Sequence, residues 1–345
     1  MLSGLVPDIG LPLPRRYCAG ASRALRNGEE TSSLRSAPAF RPHRCGIVLA
    51  AGDGTRLRPL VFRLRGKALP KQYVSFVGPR SMLEHTLSRA EKIISPQRLF
   101  TVVARDHLRH PEVVQQLSGR PEGRVVVQPE NRDTGPGLLL PLLQLRRHYA
   151  DSVVAVFPSD HFIEEEDRFM HFVRLAFRAV ERRPDRLVLL GVEPLEPEPE
   201  YGYILPERGA RPALAGEIRS VRLFEEKPDP ARAGELMRDG GLWNTLVLVF
   251  HSATLLNLLG RAAPDMLGRF RRIEDALGGA QEESVVEETY RKLTPLNLSR
   301  DFLEPLAPGG ASRLAVLAAR GVTWSDWGSE RRIPLERVAP KEVAC

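Results

Sequence analysis

From Cys45 onward, short apolar runs alternate with stretches of helical periodicity. Runs rich in β-branched residues at 46–51, 99–103, 124–128, 152–157, 187–192, 218–224, 245–250 and 314–318 predict strands. They read as continuous apolar segments rather than alternating ones. That pattern belongs to strands covered on both faces, as in mostly parallel sheets held between layers of helices. Ser81 with Glu84 three residues on forms a capping-box signature. Met82, Thr86, Leu87, Ala90 and Ile94 supply the stripe of the helix it opens. Phe169, Phe172, Val173, Ala176, Phe177 and Val180 form a second stripe at helical spacing, which is core packing. The expected fold class is α/β: a three-layer α/β/α body around a mostly parallel mixed sheet, with no internal repeat. In such sheets ligands bind beyond the carboxyl ends of strands.

Residues 1–43 break the pattern. They are rich in Pro, Ser, Gly and Arg, have no sustained period, and predict a disordered basic arm. The arm loosely resembles a targeting segment, but no uninterrupted apolar stretch follows its charges, which argues against a secretory signal. The folded body is expected over 44–335, followed by a tail at 336–345.

The net charge of +7 invites a nucleic-acid partner. Its distribution speaks against one. Seven arginines against Asp8, Glu29 and Glu30 leave +4 in residues 1–44, and only +3 remains for the other 301. Aromatic residues are 6% of the chain, too few for a base-stacking platform. No apolar run approaches the roughly 20 residues of a membrane helix. Cys18, Cys45 and Cys345 are odd in number and far apart, so neither a disulfide framework nor a cysteine metal site is expected, and the default compartment is the reducing cytoplasm. The expected partners are small molecules, with no nucleic acid and no membrane.

The first strand runs through Ala51 into Gly52-Asp53-Gly54-Thr55-Arg56. Glycines on either side of one residue let the backbone turn tightly and present N–H groups to an anion. A Walker A loop would require Gly-Lys-Ser/Thr, and a dinucleotide fingerprint would require glycine at Leu57; both are absent. Arg56 offers a fork and Lys71, in Pro70-Lys71-Gln72, a point charge for phosphate. The 152–157 strand ends in Pro158-Ser159-Asp160-His161, which places a carboxylate in the expected crevice. Asp106, His107 and His110 are expected to be a polar loop, and His161 to shape its turn.

The Gly-x-Gly-Thr-Arg loop with its downstream Pro-Lys resembles that of the sugar-1-phosphate nucleotidyltransferases. Further motifs follow in that family's order over about residues 45–330. They are Pro158–His161, Glu200-Tyr201-Gly202-Tyr203, Phe224-Glu225-Glu226-Lys227-Pro228, Trp243-Asn244 and Trp324-Ser325-Asp326-Trp327-Gly328. The segment from Gln128 to Pro136 is similar to the Arg-Asn-Thr-Ala-Pro stretch of the mannose-1-phosphate guanylyltransferase branch. The resemblance implies the Rossmann-like nucleotide-diphospho-sugar transferase fold. It also implies in-line attack of a sugar-1-phosphate (mannose-1-phosphate in that branch) on the α-phosphorus of an NTP (GTP in that branch). The products are GDP-mannose and pyrophosphate.

The same resemblance distributes roles. Ala51, Gly52, Gly54, Thr55, Arg56, Arg132 and Thr134 bind the nucleotide, with Arg56 on the departing pyrophosphate. Lys71 stabilises charge at the α-phosphate. Asp160 and Asp326 hold the cofactor Mg²⁺. Lys227 aligns the attacking phosphate, and Gly202, Glu226, Lys227 and Asn244 bind the sugar phosphate. Arg56, Lys71, Asp160 and Lys227 are thus the expected catalytic residues. A phosphate dianion is already a nucleophile, so no general base is needed and catalysis is positioning and charge neutralisation. A homodimer stays open, because no pattern encodes the oligomeric state.

Three departures stand out. Asp133 replaces the usual Asn, which is expected to weaken nucleotide binding unless metal or Arg132 compensates. Thr245-Leu246-Val247 follows Trp243-Asn244 where the branch has Ser-Gly-Met. Four extra residues separate Pro59 from Pro70. The last two point to a divergent subgroup and put the sugar in doubt more than the reaction. The alternatives are a UTP- or dTTP-dependent enzyme acting on glucose-1-phosphate and a catalytically silent regulatory paralogue. The silent paralogue would have a damaged phosphate loop or lost carboxylates, which this chain does not.

Overall fold

Each predicted apolar run forms a strand in the computed structural model, which describes residues 42–208, 216–307 and 313–333. The expected N-terminal arm lies outside the described residues apart from Pro42 and His43, and the expected tail lies wholly outside them. His43 is not part of an arm: it opens the first strand, where its N–H donates to Asp151 O at 3.0 Å.

The strands are β1 (His43–Leu49), β2 (Leu99–Ala104), β3 (Val125–Gln128), β4 (Ser152–Pro158), β5 (Phe162–Ile163), β6 (Leu187–Val192), β7 (Gly202–Pro206), β8 (Ile218–Glu226), β9 (Leu242–His251), β10 (Leu314–Ala318) and β11 (Trp324–Ser325). Nine of them form one sheet in the order β3-β2-β1-β4-β9-β6-β10-β8-β7, with β7 also pairing β9. β8 and β9 run against the other strands of this sheet, which makes it the mostly parallel mixed sheet expected. β5, β7 and β11 escape prediction because two-residue strands and a short Gly-Tyr-Ile-Leu-Pro strand carry little apolar periodicity.

Along β4, Val153, Ala155 and Phe157 pack on one side with the helices Met82–Glu91 and Glu166–Arg182. Val154 and Val156 pack on the other with Thr134–His148 and Ser252–Ala262. These two cores on opposite faces explain the uninterrupted apolar strands.

The topology assembles one edge. The carboxyl ends of β3, β2, β1 and β4 follow one another along it. The antiparallel β9 brings its first residues to the same edge, with Asn244 opposite Gly191 near the end of β6. Register then sets Tyr203 against Trp243 and Gly202 against Glu226. The small β5–β11 pair, Trp324 opposite Ile163, lays Asp326 beside the segment that follows Asp160.

The capping box is present in full. Ser81 N donates to Glu84 Oε2 at 2.7 Å and Glu84 N to Ser81 Oγ at 3.1 Å. Ser81 Oγ also donates to Gln116 Oε1 at 2.8 Å, tying the cap to a neighbouring helix. Ser81→Ala is therefore expected to cost about 1–2 kcal/mol in urea unfolding, the upper part of the range for an N-cap.

Candidate active site

The phosphate loop is held by its carbonyls, which leaves its N–H groups for a ligand. Gln72 Nε2 donates to Ala50 O at 2.9 Å and Gly52 O at 2.8 Å, and Tyr73 Oη donates to Ala50 O at 3.1 Å. Behind Tyr73 the buried His107 ring accepts or donates at Nδ1, 3.1 Å from that hydroxyl. His107 thus supports the loop from beneath instead of lying in a solvated turn. Gly54 has φ 57°, and a Cβ there would lie 3.1 Å from Lys71 N, so glycine is strongly favoured. Gly52 meets nothing within 4 Å, so the protein itself does not demand glycine there.

Lys71 is the hub. Its side chain is buried, and Nζ lies 3.0 Å from Asp160 Oδ2, 2.7 Å from Asp326 O and 3.3 Å from Trp327 O. Burial pushes the Asp160 carboxyl up, but the Lys71 charge and the Lys71 hydrogen bond more than reverse this and hold it below the ordinary range. Burial pushes His161 down to about 4, so its ring is neutral at neutral pH and accepts from Trp324 Nε1 at 3.3 Å. It shapes the turn, as expected. A cavity of about 210 Å³ opens here, lined by Gly54, Thr55, Arg56, Lys71, Asp160 and Gly328.

Asp326 converges on the same place, yet its carboxylate is occupied. Oδ1 accepts from Tyr201 Oη at 3.0 Å and Gly328 N at 2.9 Å and lies 3.1 Å from Arg332 Nε. Among the described residues no three metal-ligating side chains converge. Mg²⁺ needs only one or two carboxylates beside phosphate oxygens. Asp160 suits that need, since the side-chain neighbour of Oδ1 is the neutral His161 ring at 3.7 Å.

A second cavity of about 450 Å³ adjoins the loop, with Ala51, Gly52, Gln128, Asn131, Asp133 and Thr134 among its walls. Asn131 Nδ2 donates to Asp53 Oδ2 at 3.0 Å and ties the loop to this wall. Arg132 does not compensate for Asp133: it pairs with Glu130 at 2.8 Å. The donors to Asp133 Oδ1 are instead Thr134 N (2.6 Å), Thr134 Oγ1 (3.2 Å) and Asn297 Nδ2 (3.2 Å). Asn297 supplies the amide that position 133 lacks, a partner no local motif reveals.

At the other end, Gly202, Glu226 and Asn244 meet. A Cβ on Gly202 would lie 2.5 Å from Glu226 Oε2 and 3.5 Å from Asn244 Cβ, so glycine makes the room. Burial and the nearby Glu304 raise the Glu226 carboxyl, opposed by Lys227, Ser299 and Arg300. Asn244 Oδ1 accepts from Leu246 N at 3.0 Å, which leaves the amide nitrogen as its free donor. Lys227 is exposed beside them.

Backbone strain marks the same edge. Among the described residues the non-glycine residues at positive φ are Asp133 (69°), Lys227 (53°), Leu246 (54°) and Trp327 (43°). Every one lies in or beside a predicted site segment. Leu246 occupies the position where the mannose-1-phosphate guanylyltransferase branch has glycine. It sits in a β-bulge between β9 and β6, where Thr245 Oγ1 donates to Leu190 O at 2.7 Å and accepts from Val247 N at 3.2 Å. Such conformations cost about 1–3 kcal/mol each and persist where surrounding contacts impose them.

An α/β sheet carries a glycine-turned loop, a lysine–carboxylate pair and a polar pocket along one edge. The comparisons refine this: the chain belongs to the nucleotidyl transferase family, whose sequence profile matches residues 45–331. It is 31% identical over 219 residues to xanthan biosynthesis protein XanB of Xanthomonas campestris, covering 63% of this chain and 44% of that protein. It is 28% identical over 299 residues to an Escherichia coli mannose-1-phosphate guanylyltransferase, covering 86% of this chain and 60% of that protein. The chain thus spans about half the length of the curated relatives it matches. A crystal structure of mannose-1-phosphate geranyltransferase from Thermus thermophilus superposes with a TM-score of 0.68 at 28% identity, covering 83% of this chain and 76% of that one.

The Lys71–Asp160 pair gives a test of the electrostatics. Lys71→Met leaves a part-buried carboxylate without its cation and is expected to cost about 2 kcal/mol at pH 7, below the full buried-pair value because Asp160 keeps some solvent. Wild-type Asp160, held low, contributes stability that is lost as pH falls below the usual carboxylate range. In the variant, burial alone raises that carboxyl, so protonation relieves it. The stability gap between the two proteins is expected to narrow as pH falls from 7 towards 4, measured by urea unfolding.

Proposed function

We propose that the protein is a mannose-1-phosphate guanylyltransferase that joins GTP and mannose-1-phosphate into GDP-mannose with release of pyrophosphate. One observation carries this reading. The cavity of about 210 Å³ at Gly54, Arg56, Lys71 and Asp160 lies on the same sheet edge as the 450 Å³ pocket at Thr134 and the Gly202–Glu226–Asn244 cluster. Nucleoside, triphosphate and sugar then occupy consecutive stations, which is what in-line displacement at the α-phosphorus needs. The E. coli relative and the T. thermophilus structure support the choice of sugar.

In this reading Asp160 holds Mg²⁺ beside the phosphates, which supplies Lewis-acid charge neutralisation. Lys71 leaves its carboxylate for the α-phosphate, and the loop N–H groups carry the rest of the triphosphate. Lys227 orients the sugar phosphate, while Glu226 accepts from sugar hydroxyls and the Asn244 amide nitrogen donates to one. The half-buried Glu226 carboxylate and the Asn244 amide nitrogen are suited to a polyol, the first as acceptor and the second as donor.

The test is a matrix of four NTPs against several sugar-1-phosphates with pyrophosphate release as readout. Highest turnover is expected with GTP and mannose-1-phosphate; activity confined to UTP or dTTP overturns the base assignment. Asp160→Ala is expected to lose at least about a hundredfold in kcat. Gly202→Ala pushes Glu226 aside and is expected to raise KM for the sugar phosphate about tenfold while leaving KM for the nucleotide near wild type.

A further inference from the structure

Arg332 has no place in the motifs that carry the family resemblance, yet it is the most heavily engaged cation at the site. Its side chain is only 11% exposed and faces three carboxylates: Glu198 Oε2 at 3.1 Å, Glu200 Oε2 at 2.7 Å and Asp326 Oδ1 at 3.1 Å. Its guanidinium also lies 4.9 Å from the centre of the Tyr201 ring. The same Glu200 Oε2 is 3.2 Å from Arg56 Nη1. A single carboxylate oxygen is therefore shared by two guanidinium groups.

The two arginines meet behind one residue of the cavity wall. Arg56 and Gly328 line the 210 Å³ cavity, and a Cβ on Gly328 would press on Asp326 Oδ2 and lie 2.6 Å from Arg332 Nη2 and 2.9 Å from Arg56 Nη2. Arg56 thus faces the chamber beside the phosphate loop, and Arg332 stands directly behind Gly328, beside the Asp326 carboxylate. Guanidinium pairs of this kind bind phosphate oxygens bidentately.

The three acids are not equivalent. Glu198 is 5% exposed, holds Arg331 at 2.7 Å as well as Arg332, and accepts from Glu200 N at 3.1 Å. It is a fixed counter-charge. Glu200 is 40% exposed and its partner Arg56 is 56% exposed, so their contact is a surface pair of small net worth. A multiply charged phosphate competes for Glu200's place against Arg56 and against Arg332 Nη2, 2.7 Å from the same oxygen, while Glu198 keeps Arg332 in place.

We infer that Arg332 is the second arginine of a clamp for the pyrophosphate moiety, and that Glu200 is an internal placeholder that occupies the clamp until phosphate oxygens take its position. This rests on the nucleotidyl-transfer reading and adds to it a residue and a competing internal ligand. The clamp would grip the β- and γ-phosphates of the entering nucleotide and the pyrophosphate that leaves.

Calorimetric titration of the full chain with inorganic pyrophosphate in magnesium buffer tests it. Glu200→Gln keeps the shape but removes the competing charge, and is expected to tighten binding about five- to tenfold. Arg332→Gln is expected to weaken it at least about tenfold, and Arg332→Lys to recover only part, since charge returns without the fork. A purely structural role for this cluster predicts no gain in Glu200→Gln. Unchanged or weaker binding in Glu200→Gln therefore overturns the proposal, as does wild-type affinity in a folded Arg332→Gln. Should Arg332→Gln fail to fold, Glu200→Gln alone decides. If wild type releases pyrophosphate from an NTP and a sugar-1-phosphate while Glu200→Gln gains nothing, only the clamp fails. If wild type neither releases nor binds pyrophosphate, the nucleotidyl-transfer reading fails with it.

Discussion

The site is organised by one buried ammonium group. Lys71 Nζ joins the Asp160 carboxylate after β4 to the main-chain carbonyls of Asp326 and Trp327 after β11. It also stands directly behind the phosphate loop, where its own backbone nitrogen crowds any side chain at position 54. Three segments far apart in sequence are thus referred to one cation. Its neighbour Gln72 takes the loop carbonyls, so one short segment fixes both the charge and the direction of the loop. A desolvated lysine demands such partners, and in the proposed reading phosphate oxygens would take their place.

Around this hub every strong cation–carboxylate contact at the loop is internal. Lys71 holds Asp160, Arg56 holds Glu200, and Arg332 holds Glu198, Glu200 and Asp326. The site is close to neutral as it stands, which lets so many charges gather without a ligand. In the proposed reading, phosphate binding would exchange these partners instead of filling a bare positive pocket. Positive-φ residues at 133, 227, 246 and 327 show the backbone strained along the same edge, where side chains must be aimed more closely than relaxed strands allow.

Much of this is legible in the chain. Apolar runs locate the long strands because two-sided burial leaves a continuous signature, and Ser81 with Glu84 names a helix start because capping is local. The phosphate loop and Pro-Ser-Asp-His are legible for the same reason: their chemistry lies within a few consecutive residues. What escapes depends on distant residues. Asn297 satisfies Asp133 from 164 positions away, and no spacing rule connects them. The steric constraint on Gly202 is Glu226 across the β7–β8 register, which no neighbour in sequence signals. His107 reads as a loop histidine because its burial under Tyr73 arises only in three dimensions. Arg331 and Arg332 carry no motif of their own, and their role emerges only when Glu198 and Glu200 fold beside them.

The most direct measurement is a crystal structure of the full chain with Mg²⁺ and a GTP analogue that cannot be cleaved between the α- and β-phosphates. The account predicts the triphosphate in the cavity bounded by Gly54, Arg56, Lys71 and Gly328, the metal on Asp160, and Lys71 drawn from that carboxylate towards phosphate. Nucleotide seated elsewhere, with the Lys71–Asp160 pair intact and the cavity empty of phosphate, would contradict it.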